Sequence, residues 1–123
     1  QAGTQLVDLA EVHLNFNPAV IRVKSITPTG PLTALVLVPA SFDNINGTID
    51  YAAGVTTNFP SGTFNFVIIE CEAIANGISG LTFNKVFPRE TQVTGQNGSG
   101  GSAGNVIGNA VDGSVTVGSQ ITC

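Results

Sequence analysis

Residues 6–18 read LVDLAEVHLNFNP, and their alternation decides the fold class. Leu6, Ala10, Val12, Leu14 and Phe16 share one side of an extended strand, while Glu11, His13 and Asn15 share the other. The Asn17-Pro18 break ends this strand and opens a second alternating run, Val20 to Ile26. There Ile21 and Val23 face one way and Arg22 and Lys24 the other. Strand, tight turn and strand, each with one apolar face, predict antiparallel pairing in an all-β sandwich.

Working outward, Leu32 to Val38 is a short apolar run that reads as a strand buried on both sides or as a loop over the end of the sandwich. Ser41 to Gly47 is a turn cluster, and Thr48 to Ala53 alternates with Ile49, Tyr51 and Ala53 on one face. Thr63 to Ala73 is the strongest candidate for a central strand: Val67, Ile69, Cys71 and Ala73 line one face and Phe64, Phe66, Ile68, Glu70 and Glu72 line the other. Leu81 to Val86 follows as a further strand. Gly95 to Gly104, GQNGSGGSAG, is too poor in side chains to pack and reads as a mobile surface loop. Ser114 to Cys123 alternates to the last residue, and no helix of ordinary length or internal repeat is supported.

These blocks resemble, in order, the bacterial cohesin domain in its non-cellulosomal branch. They are VHLNFNPAVIRVKSITP at 12–28, SFDNINGTIDYAAG at 41–54, SGTFNFVIIECEAI at 61–74, LTFNKVFPRET at 81–91 and VDGSVTV at 111–117. The resemblance implies one domain over residues 1–123, a two-sheet jelly-roll β-sandwich, with the Val67, Ile69 and Cys71 face inward. It also places a further strand ahead of VHLNFNP and the last strand beside that first one. Only Gln1 to Gln5 precede Leu6, so the first strand is expected to be missing. Leu6, Ala10, Val12 and Leu14 would then line an open groove together with Val115 and Val117, and an open strand edge invites a strand from another chain. Ile121 and Cys123 are candidates for an overhang that reaches a neighbour.

Composition narrows the function classes. With 123 residues there is room for one domain with a real core. Only 10% of residues are charged, the net charge is −4, and the four Lys and Arg are scattered, which argues against nucleic acid. A surface rich in amides and hydroxyls suits an extracellular or cell-surface protein. No Met occurs, and removal of a secretory signal before Gln1 is the simplest natural account. No apolar run approaches the roughly 20 residues that cross a bilayer as a helix.

Few groups suggest chemistry. His13 is the only histidine, reads as a solvated strand residue, and has no nucleophile at a suggestive position, so no enzyme is expected. Asp43, Asn44, Asn46 and Asp50 offer oxygens for a hard cation such as Ca²⁺, although Asx residues in turns also bond their own backbone. Cys71 and Cys123 admit an internal disulfide, two free thiols or a link between subunits; an internal bridge would stabilise by about 4 kcal/mol in the chain-entropy model. Asn46 and Asn97 begin sequons in loops and are chemically competent glycan acceptors. Phe42, Tyr51, Phe59 and Phe87 are the aromatics available for a small sugar-binding patch.

Three functions follow as expectations. The first is a non-catalytic extracellular module assembling with other chains, most economically identical subunits, by strand complementation into a multimer or filament. The second is a receptor for a dockerin on another secreted protein, and the third is a carbohydrate-binding module.

Overall fold

The computed structural model describes residues 2–96 and 102–118. Nine strands and no helix make up this part of the chain: β1 (Leu6–Asn15), β2 (Ile21–Pro28), β3 (Leu35–Asp43), β4 (Thr48–Gly54), β5 (Val67–Ala73), β6 (Gly77–Phe83), β7 (Gln92–Gln96), β8 (Ser102–Asn105) and β9 (Gly113–Val117). They form two sheets. The larger runs β3-β4-β1-β6-β9, with β7 also paired to β1 and β8 to β7, and the smaller is β2-β5.

The expected strand, turn and strand at the start is present, held by local chemistry. Asn17 closes the turn, its side chain accepting from the Ala19 N–H and its carbonyl from Val20 and Ile21. That turn throws β2 across to the second sheet, so Leu14 and Phe16 on one layer face Ile21 and Val23 on the other. The β3–β4 hairpin folds back at Gly47, whose φ of 73° and whose approach to the Phe16 carbonyl, 2.2 Å from where a Cβ would stand, admit no side chain. Asn44 then clips this hairpin to the other sheet, accepting from Val23 N–H and donating to Val23 C=O.

β1 is the spine of the large sheet. One edge pairs with β4 from Leu9↔Gly54 to Asn15↔Thr48; the other is shared, with β6 at Leu14 and Asn15 and β7 from Leu6 to Glu11. The expectation that β1 lacks a neighbour is therefore corrected: β6 and β7, separated by an excursion over residues 84–91, together supply its second partner. The assignment of faces is corrected at one point also. Pairing with β7 slips between Val7 and Leu9, a bulge that reverses the parity upstream, so Val7 is 1% exposed and Leu6 only half-buried. Asp8 pins the bulge by accepting from the Thr94 hydroxyl and the Gln96 amide. From Ala10 onward the inward face is as read.

Three other stretches differ from expectation. Leu32 is fully buried, but Leu35, Val36 and Leu37 lie in the outer strand β3 and are 44 to 55% exposed. β5 begins at Val67 and is an outer strand, because its sheet is only two strands wide. Its inner face is covered only at Val67 and Ile69, and Cys71 is exposed rather than inward. Gly95 and Gln96 belong to β7 and 102–105 to β8, so the glycine-rich stretch begins and ends in a hairpin rather than lying wholly in a loop.

Candidate functional site

The two sheets do not enclose the core evenly. Around Leu14, Phe16, Val20, Ile21, Val23 and Ile49 the small sheet covers the large one, and Ile69, Leu81, Val115 and Val117 close the flanks. The small sheet stops at Pro28 and Val67. Beyond that line, the inner face of β1 from Val7 to Ala10 and the adjoining β7 are met by irregular chain: Ala2, Leu32, Val55, the Phe64 to Phe66 approach to β5, and residues 106–111.

Irregular cover leaves a gap. A cleft of about 760 Å³ opens there, floored by Val7, Ala10, Val12 and Val93 from the large sheet and walled by Phe64 and Phe66 on one side and by residues 106–111 on the other. Native interiors are close-packed, and this open cleft leaves part of the inner face of β1 and β7 without such cover. Gln5, Glu11, Thr91 and Asn109 bring polar groups to its lining beside the apolar side chains. Next to Phe66 begins β5, and among the described residues no strand pairs with its second edge. Apolar floor and unpaired edge together are what an incoming strand requires, side-chain pockets for burial and a backbone ladder for register.

At the base of this end, Tyr51 packs on Phe66 with ring centroids 4.8 Å apart and an interplanar angle of 32°. Its hydroxyl is buried with no hydrogen-bond partner, and burial pushes its pKa up.

A polar cluster braces the same wall from outside. His13, expected in solvent, is 6% exposed, with Nδ1 2.6 Å from Asp50 Oδ1 and Nε2 2.7 Å from Glu11 Oε1. Register explains the burial: His13 pairs opposite Asp50 on β4, and the excursion between β6 and β7 lays Arg89 over both. Arg89 donates to Asp50 Oδ1, Asn15 Oδ1 and the Leu14 carbonyl. Thr91 closes the base, its hydroxyl bonded to both the N–H and the C=O of His13. Desolvation raises the Glu11 carboxyl, but hydrogen bonds from His13 and Gln92 outweigh it and hold the pKa below the ordinary range. The one hydroxyl in this cluster, on Thr91, is spent on backbone, so the arrangement positions chain and offers no activated nucleophile.

The groove expected between β1 and the last strand is not formed, because β6 stands between β1 and β9; of its expected residues Ala10 and Val12 line the present cleft instead. Leu6 is displaced by the Val7 bulge, and Leu14, Val115 and Val117 belong to the closed end. Sequence reading missed Val7, Phe64, Phe66, Val93 and the 106–111 segment. Asn97, Ile121 and Cys123 lie outside the described residues, while Asn46 sits exposed in the β3–β4 turn. The oxygens of Asp43, Asn44 and Asp50 serve separate ends: Asp43 accepts from the N–H groups of Ile45 and Asn46, bonds that hold its pKa down, Asn44 clips Val23, and Asp50 meets His13 and Arg89. Among the described residues no group of three His, Cys, Asp or Glu could hold a metal ion. The four aromatics do not gather either, since Tyr51 is core while Phe87 is 83% exposed.

No family model matches the chain, and no curated protein matches it. Among solved structures, a chain of the CaDoc0917–CaCohA2 complex, a cohesin–dockerin pair crystallised with a substituted CaDoc0917 at pH 5.5, superposes with a TM-score of 0.67 at 18% identity. The match covers 96% of this chain and 83% of that one. The fold is thus an all-β jelly-roll sandwich of the cohesin kind.

Proposed function

We propose that this cohesin-like domain, of the non-cellulosomal branch, is a non-catalytic extracellular module that joins to other chains by accepting a strand at the open end of its sandwich. The observation that carries this reading is the cleft of about 760 Å³ at the end of the sandwich where β5 begins, together with the unpaired second edge of β5 among the described residues. An entering strand would add to β5 and seat alternate side chains over Val7, Ala10 and Val93, completing the second sheet. The most economical source is an identical subunit. A heterologous joint of that kind, repeated head to tail, builds a filament.

Phe64→Glu tests it, because Phe64 lines the cleft from outside the strands. Sedimentation velocity and electron microscopy should show polymer for the parent chain and monomers for the variant at matched thermal stability. Compact monomers of the parent chain at high concentration break the reading. Ile121→Asp tests the terminal overhang as donor, and unchanged polymer rules that segment out.

A second reading is supported by the solved complex, in which the similar fold is paired with a dockerin. In it, an exposed sheet face docks a dockerin on another secreted protein. A monomeric chain that retains a calcium-loaded dockerin in a pull-down would favour it over assembly.

A further inference from the structure

The wall made by residues 106–111, VIGNAV, is unlike every other part of the cleft. Its ends are tied: Val106 N–H donates to the Val93 carbonyl at 2.7 Å, and Asp112 accepts from Phe83 N–H at 2.9 Å. Between those ties, Gly108 to Val111 make no hydrogen bond with any described residue, and no strand or turn is formed. Ile107 and Ala110 nonetheless lie half-buried against the cleft, whereas Val111 is 75% exposed. None of these residues joins either buried core cluster. Ile107 N–H donates to Asn105 Oδ1, two residues back, at 3.2 Å; beyond that local bond the segment has apolar side chains but unpaired backbone and sits at the low end of local stability.

We infer that residues 107–111 are a displaceable cover along one side, which narrows the cleft in the free subunit and swings out about Val106 and Asp112 when a strand of an identical subunit enters. This rests on the cleft being the assembly site proposed above. The cover competes with the occupant, so the apparent affinity is the intrinsic affinity reduced by the fraction of subunits in which the cleft stands open. Both tied residues bond to the strands that form the floor and flank, so the cover returns to the same place when the cleft empties.

Two measurements test this. The chain has no Trp, so Ala110→Trp introduces a sole tryptophan on the cover. Its emission should shift to the red as subunits assemble, and a blue shift or no shift during assembly overturns the inference. The second measurement needs no partner: titration of the monomer with the apolar dye 1-anilinonaphthalene-8-sulfonate. Ile107→Ser weakens the hold of the cover by about half an isoleucine's burial, and should tighten dye binding about fivefold. Unchanged or weaker dye binding overturns the cover whatever the polymer does. Tighter dye binding in a chain that never polymerises keeps the cover and removes the assembly reading.

Discussion

The two ends of the sandwich share the spine strand β1 and differ in what lies opposite it. At the end around Ile21 and Ile49, two sheets face each other and the buried side chains reach 0 to 1% exposure. At the end around Val7 and Ala10, the same β1 supplies equally buried floor residues, but sheet gives way to irregular chain and a cleft remains. The difference teaches that burial of individual residues does not report closure of a core. Val7 is as buried as Ile21, yet one borders a gap and the other does not.

Substitution should separate the ends most sharply by truncation. Ile49→Ala at the closed end is expected to cost about 3 kcal/mol in urea unfolding, within the range for large-to-small changes in packed cores. Val93→Ala at the cleft should cost under about 1 kcal/mol, because a neighbour that borders open space loses fewer contacts. Equal losses at the two sites would mean that the cleft is closed in solution.

The polar brace is expected to come next. His13→Ala leaves Glu11 and Asp50 without their shared partner, at a cost of about 2 kcal/mol after allowance for their partial exposure. Hydrogen exchange should then rise along residues 84–96, the stretch that the brace holds against β1, and leave the Ile21 to Val23 amides unaffected. Tyr51→Phe works in the opposite direction. It keeps the ring against Phe66 and removes a buried hydroxyl with no partner, so it should stabilise by about 1 kcal/mol.

The smallest effect is on pH dependence. Glu11 has a folded pKa below the ordinary glutamate value of 4.5, so its contribution is present above that value and is lost as pH falls through the folded pKa. Thermal unfolding measured from pH 6 downward should lose stability in that window, and Glu11→Gln should flatten the slope there. A parallel slope in the variant would assign the acid loss to other carboxylates.

Much of the fold was legible because alternation is a property of the chain itself. Ala10 to Phe16, Ile21 with Val23, and Ile49 with Tyr51 face where the pattern says, since a strand's side chains have no choice but to alternate. The pattern failed where the answer depended on a partner. The Val7 bulge exists only against β7, Asp8 being held by Thr94 and Gln96 far along the chain. Cys71 has the parity of Ile69, and its exposure follows from a sheet that is two strands wide. His13 looked solvated because Asp50 and Thr91 reach it only through register and a folded excursion.

The site was half legible for the same reason. Ala10 and Val12 were readable as apolar groove residues, while Phe64, Phe66 and residues 106–111 carry no periodic signal and are joined to the cleft by tertiary contact alone. Sequence alone determined an all-β chain with one apolar face per strand, poor in charge and in catalytic groups, because composition and period are local. Only the tertiary structure decided where that sandwich stays open. Closure depends on how far one sheet extends over another, which no strand encodes by itself.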